Sequence, residues 1–277
     1  MDDAPFDLDA YLARVGYDGP RAPTLDVLRA VHLAHAQAIP FENLDPLLRR
    51  PVPLDAEALQ AKMVRGGRGG WCFEHNLLFR HALTALGFRT TALVGRVLWN
   101  MTVAPGAVTS RSHMLLVVHL DEGDHLADVG FGSLTLTAPL RLVPNDEQPT
   151  PHESFRLVPL DERELVLEAC VADAWKPLYR FDRTPQHQLD YEVASWYLCT
   201  HPRSSFLSNL VVARTEPGAR RVLRNNVLGV HRTDGASESR RLATAGAIRD
   251  VLETTFGLTL PDAPELEPTL ERIAAMP

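Results

Sequence analysis

Residues 65–76 constrain this chain more than any other stretch. The run Arg65-Gly66-Gly67-Arg68-Gly69-Gly70 holds four glycines in six residues, and Trp71-Cys72-Phe73-Glu74-His75-Asn76 follows directly. Glycine lets a backbone adopt positive φ and approach other groups closely. From Asn76 the chain turns helical, through Leu77, Leu78, Phe79, Ala82 and Leu83 to Leu86-Gly87. Such a loop delivers Cys72 to the first turn of a helix, beside unpaired N–H groups and the positive end of the helix dipole. That setting favours the thiolate, the nucleophilic form of cysteine. The alternative is an inert buried cysteine, since free Cys is among the most buried residue types. A phosphate-binding loop is not expected, because the Lys-Ser/Thr pair that closes one is missing.

With 277 residues, 45% of them hydrophobic and 23% charged, the chain can build a substantial core in two or three packed subdomains. A net charge of −7 argues against nucleic acid as a partner, which calls for a basic face. No apolar run is long enough to span a bilayer; Met114 to Val118 is typical. The segment Met1-Asp2-Asp3-Ala4 is acidic and lacks the apolar stretch of a secretory leader. Cys72, Cys170 and Cys199 are an odd and sparse set, which fits a reducing cytoplasm better than a disulfide scaffold.

The pattern divides the chain into three parts. Residues 1–87 read as a helical bundle carrying the nucleophile. Leu8, Tyr11, Leu12 and Val15 recur at helical spacing before Gly16, and Thr24 and Asp55 are placed to cap further helices. His32 and His35 read as an ordinary exposed or half-buried helix face rather than a metal site, since no HExxH or Cys partner accompanies them. Residues 88–183 read as an antiparallel β-barrel. Phe88–Trp99 and His113–Leu120 are rich in apolar and β-branched residues, 100–111 is a loop with Pro105 and Gly106, and Asp121–Asp124 turns the chain into a return strand at His125–Val129. Shorter strands are expected near Phe155–Leu157, Glu164–Val171 and Leu178–Phe181. Residues 184–277 begin with a helix opened by Thr184-Pro185 and carrying Leu189, Val193, Trp196 and Tyr197. Two strands, Asn209–Ala213 and Val227–Arg232, and a helix through Ile248, Val251, Leu252 and Phe256 follow. The tail from Pro261 either packs loosely or carries a short helix around Leu270–Ile273. The fold class is therefore α+β.

A nucleophilic thiol needs a base to hold it as thiolate and a third group to orient that base. His113 opens one strand of the expected hairpin and Asp128 lies on the other, so the turn brings them together. An aspartate among Leu126, Ala127 and Val129 is costly to bury without a hydrogen-bonded partner. His119 and His125 compete for the same role. They rank lower because His119 sits inside the apolar run and His125 at an exposed turn.

The chain resembles the arylamine N-acetyltransferases. The resemblance rests on Arg68-Gly69-Gly70-Trp71-Cys72-Phe73-Glu74 with Asn76, Ile39-Pro40-Phe41-Glu42-Asn43-Leu44, Ser112-His113-Met114-Leu115-Leu116, Asp128-Val129-Gly130-Phe131-Gly132 and Pro202-Arg203-Ser204-Ser205-Phe206. It covers about the first 210 residues in order. It implies a Cys–His–Asp triad of Cys72, His113 and Asp128, arranged as in cysteine proteases. It also implies a helical bundle, a β-barrel and a C-terminal α/β lid. The activity implied is ping-pong transfer of an acetyl group from acetyl-CoA, as co-substrate, to an arylamine or arylhydrazine, with no metal. Glu42 and Arg68 would form a buried charged pair supporting the site. The Gly130-Phe131-Gly132 turn would offer N–H groups and room for the acetyl or pantetheine end. Phe41, Phe131 and Phe206 would line the acceptor cleft, with core packing the alternative for each and the favoured reading for Phe41. His75, where many members carry Gln, is expected to face away on its helix. A monomer or homodimer in the cytoplasm is expected. The same triad also serves an amide synthase that takes a polyketide chain from a carrier protein, and thiol hydrolases use a similar one. A non-enzymatic binding module would leave the ordered blocks unexplained.

Overall fold

The computed structural model describes residues 6–101 and 108–277. Residues 1–5 and the centre of the 100–111 loop, with Pro105 and Gly106, lie outside the described residues.

The N-terminal helices form where their caps predict. Asp7 accepts from Ala10 N at the start of α1 (Leu8–Val15), and Gly16 ends it at φ 71°. Thr24 accepts from Val27 N to open α2 (Leu25–Ala38). The two-residue strand β1 (Phe41–Glu42) and a single turn, α3 (Leu44–Leu47), come next. Asp55 caps α4 (Ala56–Leu59), which widens into a π-helical turn over Gln60–Arg65. The glycine loop then leads into α5 (Cys72–Ala85), the most deeply buried helix of this region.

Eight strands form one antiparallel sheet: β2 (Arg89–Val97), β3 (Arg111–Leu120), β4 (Gly123–Ala127), β5 (Leu140–Arg141), β6 (Gln148–Pro149), β7 (Ser154–Pro159), β8 (Leu165–Val171) and β9 (Ala174–Phe181). Their spatial order is β5-β4-β3-β2-β9-β8-β7-β6. The sheet curls into a nearly closed barrel. At the seam Gln148 Oε1 accepts from Arg141 N at 2.7 Å, and its Nε2 donates to Arg141 O at 3.0 Å, so one side chain joins the two edge strands. On β3, Met114, Leu116 and Val118 pack toward the helices while Leu115 and Val117 fill the barrel. A strand covered on both faces reads as a continuous apolar run rather than an alternation.

The C-terminal part holds α6 (Gln188–Thr200), β10 (Val211–Glu216), β11 (Ala219–Arg224), β12 (Val227–Arg232), β13 (Ser237–Arg241), α7 (Ala245–Asp250) and α8 (Leu266–Ala274). A second sheet runs β1-β10-β11-β12-β13. Its first strand comes from the N-terminal part, with Phe41 paired to Ala213 and Glu42 to Val212. The α+β class holds, with several corrections. Four strands stand where two were expected, because the arginines of β11 and the polar residues of β13 hide the alternation. The helix α6 starts at Gln188, with Asp190 accepting from His187 N, and not at Thr184-Pro185. Its buried residues are Tyr191, Ser195 and Leu198, while Leu189, Val193 and Trp196 face solvent. The last expected helix is α7 continued by a π-helical turn, Val251–Thr255. The tail does not pack loosely: Leu266, Leu270 and Ile273 of α8 join a core with Ile248, Leu252 and Phe256. No helix among the described residues is long and apolar enough to cross a membrane.

Candidate active site

Cys72 is the first residue of α5, and Glu74 holds the helix start by accepting from Trp71 N at 3.1 Å. Two glycines permit the approach to this turn. A Cβ on Gly69 would stand 2.0 Å from the Pro40 carbonyl oxygen, and one on Gly70 would stand 2.7 Å from Glu74 Oε2. Cys72 is 6% exposed, and its Sγ lies 3.5 Å from the Ser112 carbonyl oxygen, which brings the thiol to the mouth of β3.

His113 is the third residue of β3, opposite Gly95 and next to a bulge at Ser112 of the same strand. Asp128 follows the last residue of β4 rather than lying within that strand. The ladder pairs Leu116 with Ala127, so one further step sets Asp128 on the face that His113 shares. His113 Nε2 stands 2.6 Å from Asp128 Oδ2. With Nε2 donated to the carboxylate, Nδ1 is the nitrogen left for the Cys72 thiol. Tyr179 and Phe131 close around the imidazole, with ring centroids 4.7 and 5.0 Å away.

Burial by itself would push the His113 imidazole down. The charge and hydrogen bond of Asp128, followed by interaction with Cys72, outweigh it and carry the group up to about 10. Burial pushes Asp128 the other way from its neighbours. His113, then Asn76 and the Gly130 N–H, together hold the carboxyl below its ordinary value. The pair is therefore imidazolium and carboxylate at neutral pH, poised to stabilise a thiolate.

Asp128 is held on every side. Its Oδ1 accepts from Asn76 Nδ2 and from Gly130 N, each at 3.0 Å, and its own N–H donates to His32 Nε2 at 3.3 Å. Asn76 Nδ2 also reaches the carbonyls of Cys72 and Met114, at 3.2 and 2.8 Å, and its Oδ1 accepts from Val129 N. One side chain thus ties the nucleophile helix, the histidine strand and the aspartate loop together. Gly130 packs against the same junction: a Cβ there would come within 2.9 Å of Cys72 Cα and 2.8 Å of Asn76 Nδ2. The Gly130 N–H is taken by Asp128 and that of Phe131 by Thr135 Oγ1. Two of the three N–H groups of the turn are thus engaged, and its closeness and shape are what the geometry shows.

Glu42 and Arg68 meet in a buried pair, with Arg68 Nε and Nη2 both donating to Glu42 Oε1 at 2.9 and 2.6 Å. The pair belongs to a larger cluster. Lys62 Nζ lies 2.6 Å from Asp45 Oδ2 and 2.7 Å from Glu74 Oε1, and Arg68 Nη2 lies 3.2 Å from the same Asp45 oxygen. Two cations and three carboxylates therefore lock the glycine loop to β1, α3 and the start of α5.

Of the expected acceptor residues, Phe131 touches His113, Phe206 packs edge-on to Trp71 at 5.3 Å, and Phe41 lies in the core with its ring parallel to that of His75. His75 departs from expectation. It is buried at 1% exposure and hydrogen-bonded to His35 and the Pro40 carbonyl, a built-in partner rather than a merely tolerated variant. His32 and His35 are fully buried rather than half exposed. The reasons given against the competing histidines exchange places: His125 is buried, whereas His119 is part-exposed and bonded to Asp124 and Thr91. Sequence reasoning missed the roles of Asn76, His32, Lys62 and Asp45. Asn76 stood in the motif that carried the resemblance, and one helical turn after Cys72 was the signal that placed it at the junction. Among the described residues, no group of three His, Cys, Asp or Glu side chains is arranged to hold a metal ion.

The profile of the N-acetyltransferase family matches residues 24–265. The chain is 44% identical to an arylamine N-acetyltransferase of Mycolicibacterium smegmatis over 259 residues, covering 92% of this chain and 93% of the relative. It is 40% identical to that of Escherichia coli (strain K12) over 257 residues, covering 92% and 90%. The solved arylamine N-acetyltransferase of M. tuberculosis superposes with a TM-score of 0.91 at 43% identity, over 96% of this chain and all (100%) of that one. The Mycobacterium marinum enzyme, solved in complex with CoA, gives 0.92 at 41% identity, over 96% and 99%. The chain belongs to the arylamine N-acetyltransferase family.

Proposed function

We propose that this chain moves an acetyl group from acetyl-CoA to the amine of an arylamine or arylhydrazine, through a thioester on Cys72. The observation that carries this reading is the buried His113–Asp128 pair beside a cysteine at a helix start. In the first half-reaction the Cys72 sulfur attacks the acetyl carbonyl, the carbon–sulfur bond to CoA breaks, and the CoA thiolate takes a proton from His113. In the second, the acceptor nitrogen attacks the acetyl-cysteine carbonyl, the bond to Cys72 breaks, and the nitrogen gives up its proton to His113. Asp128 holds the imidazole orientation and stabilises its charge in both. The thioester exchange is nearly balanced, so the covalent intermediate splits a three-body problem into two simpler steps.

The Gly130-Phe131-Gly132 turn gives the acetyl and pantetheine end room to reach Cys72, and Phe41, Phe131 and Phe206 take the aromatic ring of the acceptor. The Glu42–Arg68 pair and its Lys62 cluster hold the loop under the nucleophile. The division into 1–87, 88–183 and 184–277 assigns the nucleophile, the base pair and the cover of the cleft to successive parts. Three unpaired cysteines fit a cytoplasmic setting.

Initial rates with acetyl-CoA and an aromatic amine or hydrazide test the reading. Parallel double-reciprocal lines are expected when both substrates are varied. Fast CoA release without an amine would point instead to a hydrolase, and turnover with carrier-linked acyl chains but not acetyl-CoA to an amide synthase.

A further inference from the structure

Three buried side chains outside the proposed chemistry form a continuous hydrogen-bonded line. The Tyr11 hydroxyl lies 2.9 Å from His35 Nδ1, His35 Nε2 lies 2.9 Å from His75 Nδ1, and His75 Nε2 lies 3.1 Å from the Pro40 carbonyl oxygen. Tyr11 and His35 are 0% exposed and His75 is 1% exposed. The direction of the line follows from its end. A carbonyl only accepts, so His75 Nε2 carries the hydrogen. In the neutral ring Nδ1 is then a lone pair, so His35 Nε2 must donate to it. His35 Nδ1 is left as an acceptor, and the Tyr11 hydroxyl supplies the donor. Every ring nitrogen has one role, and the line reads Tyr11 to His35 to His75 to Pro40.

The rings are neutral on chemical grounds. Burial dominates at both: it carries His75 down to about 4 and His35 well below the ordinary value. The groups facing His75 are Lys62, which opposes its charge, and Glu42 and Asp128, which favour it. Those facing His35 are His75, His32 and Arg14, all opposing.

The line ends where the proposed acceptor wall begins. Pro40 precedes Phe41, whose ring lies parallel to the His75 ring, 6.4 Å between centroids and 4° between planes. Gly132 also packs on Phe41: a Cβ there would stand 3.5 Å from its ring. The Pro40 carbonyl also faces Gly69 and accepts weakly from Gly70 N at 3.4 Å. We infer that His75 is a positioning residue: the one-way line from Tyr11 fixes the Pro40–Phe41 peptide, and through it the place of Phe41 against the Gly132 turn, for the acyl acceptor. The inference rests on the acetyl-transfer reading above. A glutamine in place of His75 would keep the line, since a side-chain amide can donate to Pro40 and accept from His35 in the same geometry.

The test compares His75→Gln, His75→Leu and Tyr11→Phe in two separate measurements. One is the rate at which acetyl-CoA alone loads Cys72, followed by intact mass; the other is the KM for a hydrazide acceptor. Loading of the unsubstituted protein reports on the acetyl-transfer reading independently of any variant. His75→Gln is expected to stay within about twofold in both measurements. His75→Leu keeps bulk but loses both hydrogen bonds, and Tyr11→Phe removes only the hydroxyl and leaves a buried acceptor unpaired. Both are expected to raise the acceptor KM, by about fivefold or more for His75→Leu, with loading within about twofold. Should His75→Leu fail to fold, Tyr11→Phe carries the test alone. An unchanged acceptor KM in the folded variants, or a His75→Gln protein impaired as much as His75→Leu, would overturn the inference.

Discussion

His113 Nε2 and Asp128 Oδ2 stand 2.6 Å apart, and the two side chains expose 3% and 0% of their surface. Both groups are shielded from bulk solvent, so the carboxylate's charge acts on the imidazole with little screening. Asp128→Asn keeps the shape and removes the charge. It is expected to lower kcat/KM for acetyl transfer by roughly 10²–10⁴-fold, the range in which oriented acid–base groups act. Steady-state kinetics on the folded variant check this. A loss below about threefold would mean that His113 does not depend on Asp128.

Stability should fall on both sides of neutrality, for different reasons. His32 and His75 are each held down to about 4 by burial. The unfolded chain therefore takes up protons there that the folded chain refuses, and stability drops as pH falls from about 6.5 toward 4. Asp128, held below its ordinary value, adds a loss only as pH falls further, through its own folded value. His113 works in the opposite direction. Its contribution is complete below about 6.5 and is lost as pH rises through about 10. Urea midpoints measured from pH 5 to pH 10 should therefore trace a dome. A midpoint that rises steadily from pH 7 to pH 5 would contradict the neutral buried histidines.

Gly130 is placed where no side chain fits. A methyl group there would meet Cys72 Cα at 2.9 Å and the Cys72 carbonyl oxygen at 3.0 Å, both of them backbone at the start of α5. Gly130→Ala is expected to cost about 1–3 kcal/mol, as overpacked sites do. The larger effect should be on Cys72, with loading by acetyl-CoA slowed tenfold or more while the circular dichroism spectrum stays native. A variant that loads at the unsubstituted rate would show that the junction yields without moving the thiol.

Much of this site was legible in the sequence because its chemistry is local. Cys72 announced itself through the glycines before it and the helix after it, and the turn at Asp121–Asp124 brought His113 and Asp128 together. The caps at Asp7, Thr24 and Asp55 follow from side chains three residues from the N–H groups they serve, although only Thr24 and Asp55 were read in advance. What stayed hidden depends on distant partners. Nothing near Lys62 in sequence shows that it faces Asp45 and Glu74, and nothing near His35 shows that Tyr11 and His75 close over it. The strands β11 and β13 were missed because Arg220, Arg221 and Arg224, and then Glu238, Arg240 and Arg241, mask the two-residue period. Arg220 is in fact buried, donating to Glu153 and to the Thr135 carbonyl. The apolar residues Leu189, Val193 and Trp196 misled in the other direction, since α6 turns them to solvent.

The most direct measurement is the intact mass of the protein after mixing with acetyl-CoA, first without an amine and then with an aromatic hydrazide. The account predicts one added acetyl group that maps to Cys72, disappears when the hydrazide is supplied, and never forms on Cys72→Ala. No adduct from acetyl-CoA, or an adduct that persists in Cys72→Ala, would contradict it.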